Sequence, residues 1–187
     1  ALVVARGPHG FQACDVALPV TPLYLDFAYG PEGHCPAYCT DLNRGIVANG
    51  GTLYAASYTT GIVSLDFSGG GFGPLVSWPL TGRTFGLTES GASIFAASER
   101  GLATFAKGSP DAAAPLFAEA NGTGTVRSAA LGESHLYVAS ASRGLETYSL
   151  ADPLSPALVD VVTTAGVQSD DGTSDVAVDG DRLLLAD

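Results

Sequence analysis

Residues 135–162, "HLYVASASRGLETYSLADPLSPALVDVV", decide the fold. A short apolar strand leads to a glycine. An alternating strand follows, and the stretch closes on a proline-led apolar run. Nearly the same order stands at residues 10–25, "GFQACDVALPVTPLYL". One grammar used twice in a chain calls for a repeat search before any local reading.

The search finds one short strand five times: "LVVAR" at 2–6, "LYAAS" at 53–57, "IFAAS" at 94–98, "LYVAS" at 136–140 and "LLLAD" at 183–187. Their starts lie 51, 41, 42 and 47 residues apart. Seven or eight residues after each of the first four starts comes a glycine, Gly10, Gly61, Gly101 or Gly144. It opens a second strand, as in "GIVSLDF" or "GLETYSL", and a run such as "PLYLDF", "PLVSWPL", "PLFAEA" or "PALVDVV" then follows. Ahead of the short strand lies another alternating run with a tight turn, as in "SDVAVDGDRLLL". There Asp179-Gly180 predicts a two-residue hairpin of the type that needs positive φ.

Each unit therefore reads as four short strands, A to D, in ~40–45 residues with no helical period, the signature of a β-propeller blade. The prolines fall at the start of strand D, where an outermost edge loses no ladder bond to a missing N–H. The predicted fold is all-β, with four-stranded antiparallel blades at about 1–27 (partial), 44–80, 83–120, 125–162 and 173–187 (partial), and an insertion at 28–43. Both ends supply strand B. The expectation is a segment of a larger propeller of roughly six to eight blades, or one completed by another polypeptide. Otherwise apolar residues such as Leu183 and Leu185 would be exposed and strand edges left open.

Composition narrows the classes of function. Hydrophobic residues make up 46% and charged ones 14% of 187, which argues for a packed core and against disorder. The net charge of −11 disfavours nucleic acid and anionic membranes as partners. No apolar run nears the ~18 residues of a membrane helix. Lysine occurs once and methionine never, and the chain opens on the strand-like "ALVVAR" with no leader visible. That fits a mature or excised piece of a longer protein.

This grammar resembles the LVIVD-repeat family of bacterial β-propellers. The resemblance is carried by "HLYVASASRGLETYSLADPLSPALVDVV", by "TSDVAVDGDRLLLAD" and by "LVVARGPHGFQACDVALPVTPLYL". It covers nearly the whole chain except 28–43, but "GIVSLDFSGGGFGPLV" and "GLATFAKGSPDAAAPLF" lack the Asp-Pro pair. The resemblance implies the fold and a secreted, periplasmic or cell-surface setting. It brings no catalytic residues.

Three cysteines occur. Counted from the repeat glycine, Cys14 takes the slot of Leu65, Phe105 and Tyr148, which predicts a buried free thiol. Cys35 and Cys39 share the insertion "YGPEGHCPAYCTD". With His34 they offer three zinc ligands and no nearby fourth. In an exported protein a local Cys35–Cys39 disulfide that pins the loop is the simpler reading.

Arginine precedes the apolar alternation of strand A three times: Arg44 before Ile46 and Ala48, Arg83 before Phe85 and Leu87, Arg127 before Ala129 and Leu131. Spacing of i, i+2, i+4 puts each on one face with two apolar residues. The expectation is three equivalent guanidinia near one mouth of the central channel, with Ser174 in that slot of the fifth unit. There they would either hold a small anionic ligand bidentately or brace the ring against acids such as Asp41, Glu99 and Asp187. The structural role is favoured. The acidic run "QSDDGTSDVAVDGD" does not match a calcium loop and reads as solvated loop and hairpin. "NGT" at 121–123 is only a weak glycosylation signal. His9, His34 and His135 are scattered, with His135 expected to be exposed in an A–B turn, and form no Ser/His/Asp arrangement.

The function expected is therefore a non-catalytic binding or assembly module of bacterial exported type, with no cofactor. Its partner would be a protein or further blades. The alternative is a propeller hydrolase, lactonase- or esterase-like, with a metal at the channel mouth. That would need a ring of Asp, Asn, Glu or His where arginines stand.

Overall fold

The computed structural model describes residues 2–5, 11–15, 23–28, 45–57, 61–67, 73, 75–78, 80–107, 117–118, 125–141, 143–163 and 175–186. They form successive antiparallel sheets. The first holds β1 (Leu2–Ala5), β2 (Phe11–Asp15) and β3 (Leu23–Ala28) in that order. The second is β4 (Ile46–Asn49), β5 (Thr52–Ser57), β6 (Gly61–Asp66) and β7 (Leu75–Trp78). The third is β8 (Thr84–Ser90), β9 (Ser93–Ser98), β10 (Gly101–Ala106) and β11 (Phe117–Ala118). The fourth is β12 (Val126–Leu131), β13 (His135–Ser140), β14 (Gly144–Ser149) and β15 (Ala157–Val162). A fifth pairs β16 (Asp175–Asp179) with β17 (Arg182–Ala186).

Within each sheet the spatial order is the order in sequence, so every sheet is a meander whose neighbours need only short connections. Sheets pack face to face through their first strands: β8 on β4 and β5, β12 on β8 and β9, and β16 on β12 and β13. These are blades of a β-propeller. The four-strand unit read from the repeat is the unit that folds.

A blade between two others is covered on both faces, so its middle strands lose the polar alternation of a half-exposed sheet. β9 is buried at all six positions and β5 at five of six. Tyr54, Ile62 and Trp78 meet Ile94, Ala96, Ala103 and Phe105 between the second and third blades. Phe95, Ala97 and Leu102 meet Val126, Leu136, Val138 and Tyr148 between the third and fourth. Each large apolar side chain so buried contributes about 1.5–3 kcal/mol. Trp78 is the pivot of the first interface. It stands edge-on to Tyr54 (5.8 Å, 88°) and to Phe105 (5.9 Å, 70°), and its Nε1 donates to Ser64 Oγ at 2.9 Å.

The repeat glycine is a conformational requirement. Gly61, Gly101 and Gly144 have φ of 93°, 116° and 86°, and a Cβ on Gly61 would lie 2.5 Å from Leu80 N and Trp78 O. The serine ending strand B works beside it: Ser98 Oγ donates to Gly101 O (2.8 Å) and accepts from Arg100 N (3.2 Å).

Two local expectations are corrected. The last hairpin turns on Gly180-Asp181, since Asp179 pairs with Arg182. Only Gly180 (φ 60°) is positive there, the pattern of a II′ turn, whereas Gly50 (55°) and Gly51 (86°) supply the doubly positive pattern in the second blade. The exposed apolar residue of β17 is Leu184, at 57%, while Leu183 and Leu185 are half-buried. Strand alternation explains this. Leu183 and Leu185 lie opposite Val178 and Val176, and Leu184 points the other way, beside Ala177.

Candidate functional site

Arg44, Cys35 and Cys39 lie outside the described residues, as do His34, Asp41, Ser174 and Asp187. Cys14 sits in β2 opposite Leu2, the register that Leu65 holds opposite Leu53, Phe105 opposite Ile94 and Tyr148 opposite Leu136.

The two described arginines are not equivalent. In β8 the register steps from Thr84↔Ser98 to Gly86↔Ala97, leaving Phe85 as the extra residue of a bulge. In β12 it steps from Val126↔Ser140 to Ser128↔Ala139, leaving Arg127. Phe85, and not Arg83, therefore occupies the slot of Arg127. The Arg127 guanidinium carbon lies 5.1 Å from the centre of the Phe85 ring, so the bulge residues of neighbouring blades form a cation–π contact. Arg83 comes just before β8 and is exposed. Its amide donates to Glu99 Oε2 (3.2 Å) and its carbonyl accepts from Glu99 N (2.8 Å). The sequence did hold the signal. Phe85 and Arg127 each stand nine residues before the start of the short apolar strand, Arg83 eleven before.

Bracing between blades recurs at the A–B turns. Glu89 Oε2 pairs with Lys107 Nζ at 2.5 Å and accepts from Asn49 Nδ2 of the second blade at 3.1 Å. Lys107 Nζ also donates to Gly91 O at 2.7 Å.

A buried acid was missed by the sequence reading. Glu146 on β14 is fully buried and lies opposite Val138. Counted from the repeat glycine, its slot holds Val63 and Ala103 in the two preceding blades. A carboxylate there is costly unless it is held. Tyr148 OH donates to Glu146 Oε2 at 2.7 Å, and Arg143 Nε lies 3.4 Å from Oε1, with the Arg143 side chain 30% exposed. The Ala103/Phe105 pair of the third blade has become Glu146/Tyr148 in the fourth. A charged residue in an apolar repeat slot was the available signal.

Among the described residues one open cavity, of about 460 Å³, lies between the fourth and fifth blades. It is bounded by the turn Gly132–His135, Tyr137, Val178 and the hairpin Gly180–Leu183. His135, expected to be exposed in the turn, is instead the first residue of β13 and half-buried. Among the described residues no group of three or more His, Cys, Asp or Glu is arranged to hold a metal ion. No described helix is long and apolar enough to cross a membrane.

The solved structures to which the chain is similar carry the same fold. The computationally designed protein Ika8 superposes with a TM-score of 0.70 at 10% identity, over 98% of this chain and 51% of its own. The WD40 domain of Neurospora crassa Pan2 gives 0.61 at 13% identity, over 82% and 46%. BamB from Moraxella catarrhalis gives 0.51 at 17% identity, over 75% and 38%. The chain thus spans about half the length of Ika8, and less of the other two. No protein-family model matches the sequence, and no curated protein matches it.

Proposed function

We propose that this chain is a non-catalytic β-propeller module that holds a protein partner, in the periplasm or at the surface of a bacterium. The observation that carries the reading is the outermost strand of the fourth blade. Five of the six β15 positions are exposed, including Leu158 (39%), Val159 (55%) and Val162 (50%). An edge strand that keeps apolar side chains in water is suited to an added partner strand. The backbone supplies the affinity and alternate side chains the specificity.

Two further points support it. Arg127 and Glu89 brace blade against blade, Arg127 on Phe85 and Glu89 through its hydrogen bond from Asn49. The resemblance to LVIVD-repeat propellers supports the exported setting. Further blades of the same protein are partners on the same footing as a second polypeptide.

The test is site-specific crosslinking. A photoreactive residue at 159 is expected to capture one discrete polypeptide in periplasmic or surface extracts. Val159→Lys, which leaves the blade interfaces untouched, is expected to abolish capture by a probe at 162. Equal capture by probes on β15 and on the exposed A–B turns would overturn the reading. So would saturable ester or lactone hydrolysis by the purified chain.

A further inference from the structure

We propose that the cavity between the fourth and fifth blades is a binding site for a neutral saccharide, a function beyond the strand-edge docking above. Its volume of about 460 Å³ falls within the range of small-ligand sites, about 300–1,000 Å³. Its walls come from two different blades, so it exists only once the propeller has assembled.

The lining has two kinds of surface. Val178 and Leu183, both half-buried, pair across β16 and β17. The rings of His135 and Tyr137 lie 6.4 Å apart, tilted by 33°, and add an aromatic flank. Glu133, Ser134, Asp181 and Arg182 supply the polar groups. The turn that presents the first of these is held in place. Gly132 N donates to His135 O (2.8 Å), Leu150 N to Ser134 O (2.9 Å), and Ser134 Oγ lies 2.9 Å from His135 Nδ1. Tyr137 packs so closely on Gly132 that a Cβ there would meet its ring at 2.9 Å. A site held before ligand arrives loses less entropy on binding.

The charges select the ligand class. None of Glu133, Asp181 and Arg182 forms an ion pair among the described residues, although Asp181 and Arg182 are neighbours. A cation would gain from the two carboxylates and be repelled by the guanidinium, and an anion the reverse. A polyol hydroxyl both donates and accepts, so adjacent hydroxyls can serve carboxylate and guanidinium together. The apolar face of a sugar ring can cover Tyr137 or the Val178–Leu183 wall.

Calorimetric titration of the intact chain with cellobiose, lactose, glycylglycine, citrate and calcium chloride tests this. Saturable binding of a disaccharide is expected. Tyr137→Ala and Asp181→Ala should each weaken it about tenfold, a difference of about 1.4 kcal/mol. The buried Trp78 reports separately that the fold is intact. Should Tyr137→Ala not fold, Glu133→Gln on its exposed turn and Arg182→Gln at the exposed start of β17 read the same loss. Binding of only the dipeptide, citrate or calcium would overturn the proposal, as would no binding at all or saccharide binding indifferent to these variants. Crosslinking at β15 would be untouched by that failure.

Discussion

The buried pair Glu146–Tyr148 offers a quantitative test, because the protein contains its own apolar control. At the same repeat positions the second blade carries Val63 and Leu65, and the third Ala103 and Phe105, all buried. Consider Glu146→Val, Tyr148→Phe and the double substitution. Val in place of Glu146 leaves the Tyr148 hydroxyl buried without its acceptor, a cost of about 1–3 kcal/mol. Arg143, partly exposed, turns to water at little cost. Phe in place of Tyr148 takes a charge-assisted hydrogen bond from a fully buried carboxylate, which costs about 2–4 kcal/mol. The double variant restores the solution used by the neighbouring blades and should lie within about 1 kcal/mol of the parent, since replacing a whole buried polar set is often neutral. The two effects are therefore strongly non-additive, with a coupling of about 3–7 kcal/mol, the sum of the two single losses. Urea unfolding followed by Trp78 emission and by circular dichroism, at constant m, measures all four corners of the cycle. Additive losses would refute the reasoning, because they would mean that the acid and the phenol act independently.

Other outcomes follow from the same geometry. Gly61→Ala forces a Cβ to 2.5 Å from backbone atoms at φ +93° and should cost at least about 3 kcal/mol, read as a lowered urea midpoint. Lys107→Ala removes a contact whose side chains are 11% and 26% exposed. It should cost about 1 kcal/mol, and Glu89→Gln in the same background should add little. Arg127→Ala should cost about 1 kcal/mol through the lost stack on Phe85, and Phe85→Leu should remove most of that effect. Thiol counting under denaturing conditions should find one free thiol among the three cysteines; three would reject the Cys35–Cys39 disulfide.

The strand-level architecture was legible because a blade is a local object. Its four strands follow one another, so the glycine at each B–C turn and the prolines before strand D mark it without reference to the rest of the chain. Gly61, Gly101 and Gly144 all sit at positive φ, the conformation for which glycine is needed. Leu65, Phe105 and Tyr148, placed in one slot by counting, are all buried.

The candidate sites were less legible, because spacing along a strand does not report its register. The i, i+2 pattern made Arg83 look equivalent to Arg127. Counting back from the short strand puts Phe85 there instead, and the matching bulges in the pairing with β9 and β13 show it directly. The hairpin turn moved by one residue for a similar reason: Asp179 pairs with Arg182, which leaves Gly180-Asp181 as the turn.

By itself, then, the sequence determined the all-β class, the four-strand unit and the buried slot shared by Leu65, Phe105 and Tyr148, since these follow from periodicity and backbone stereochemistry within about forty residues. Tertiary structure alone decided which blade faces met and which side chains crossed between them. The Arg127–Phe85 stack, the burial of Glu146 and the cavity under Tyr137 all join residues whose neighbours belong to another blade or another strand. The physical reason is that contact across a blade interface depends on packing and register between faces, which no single strand encodes.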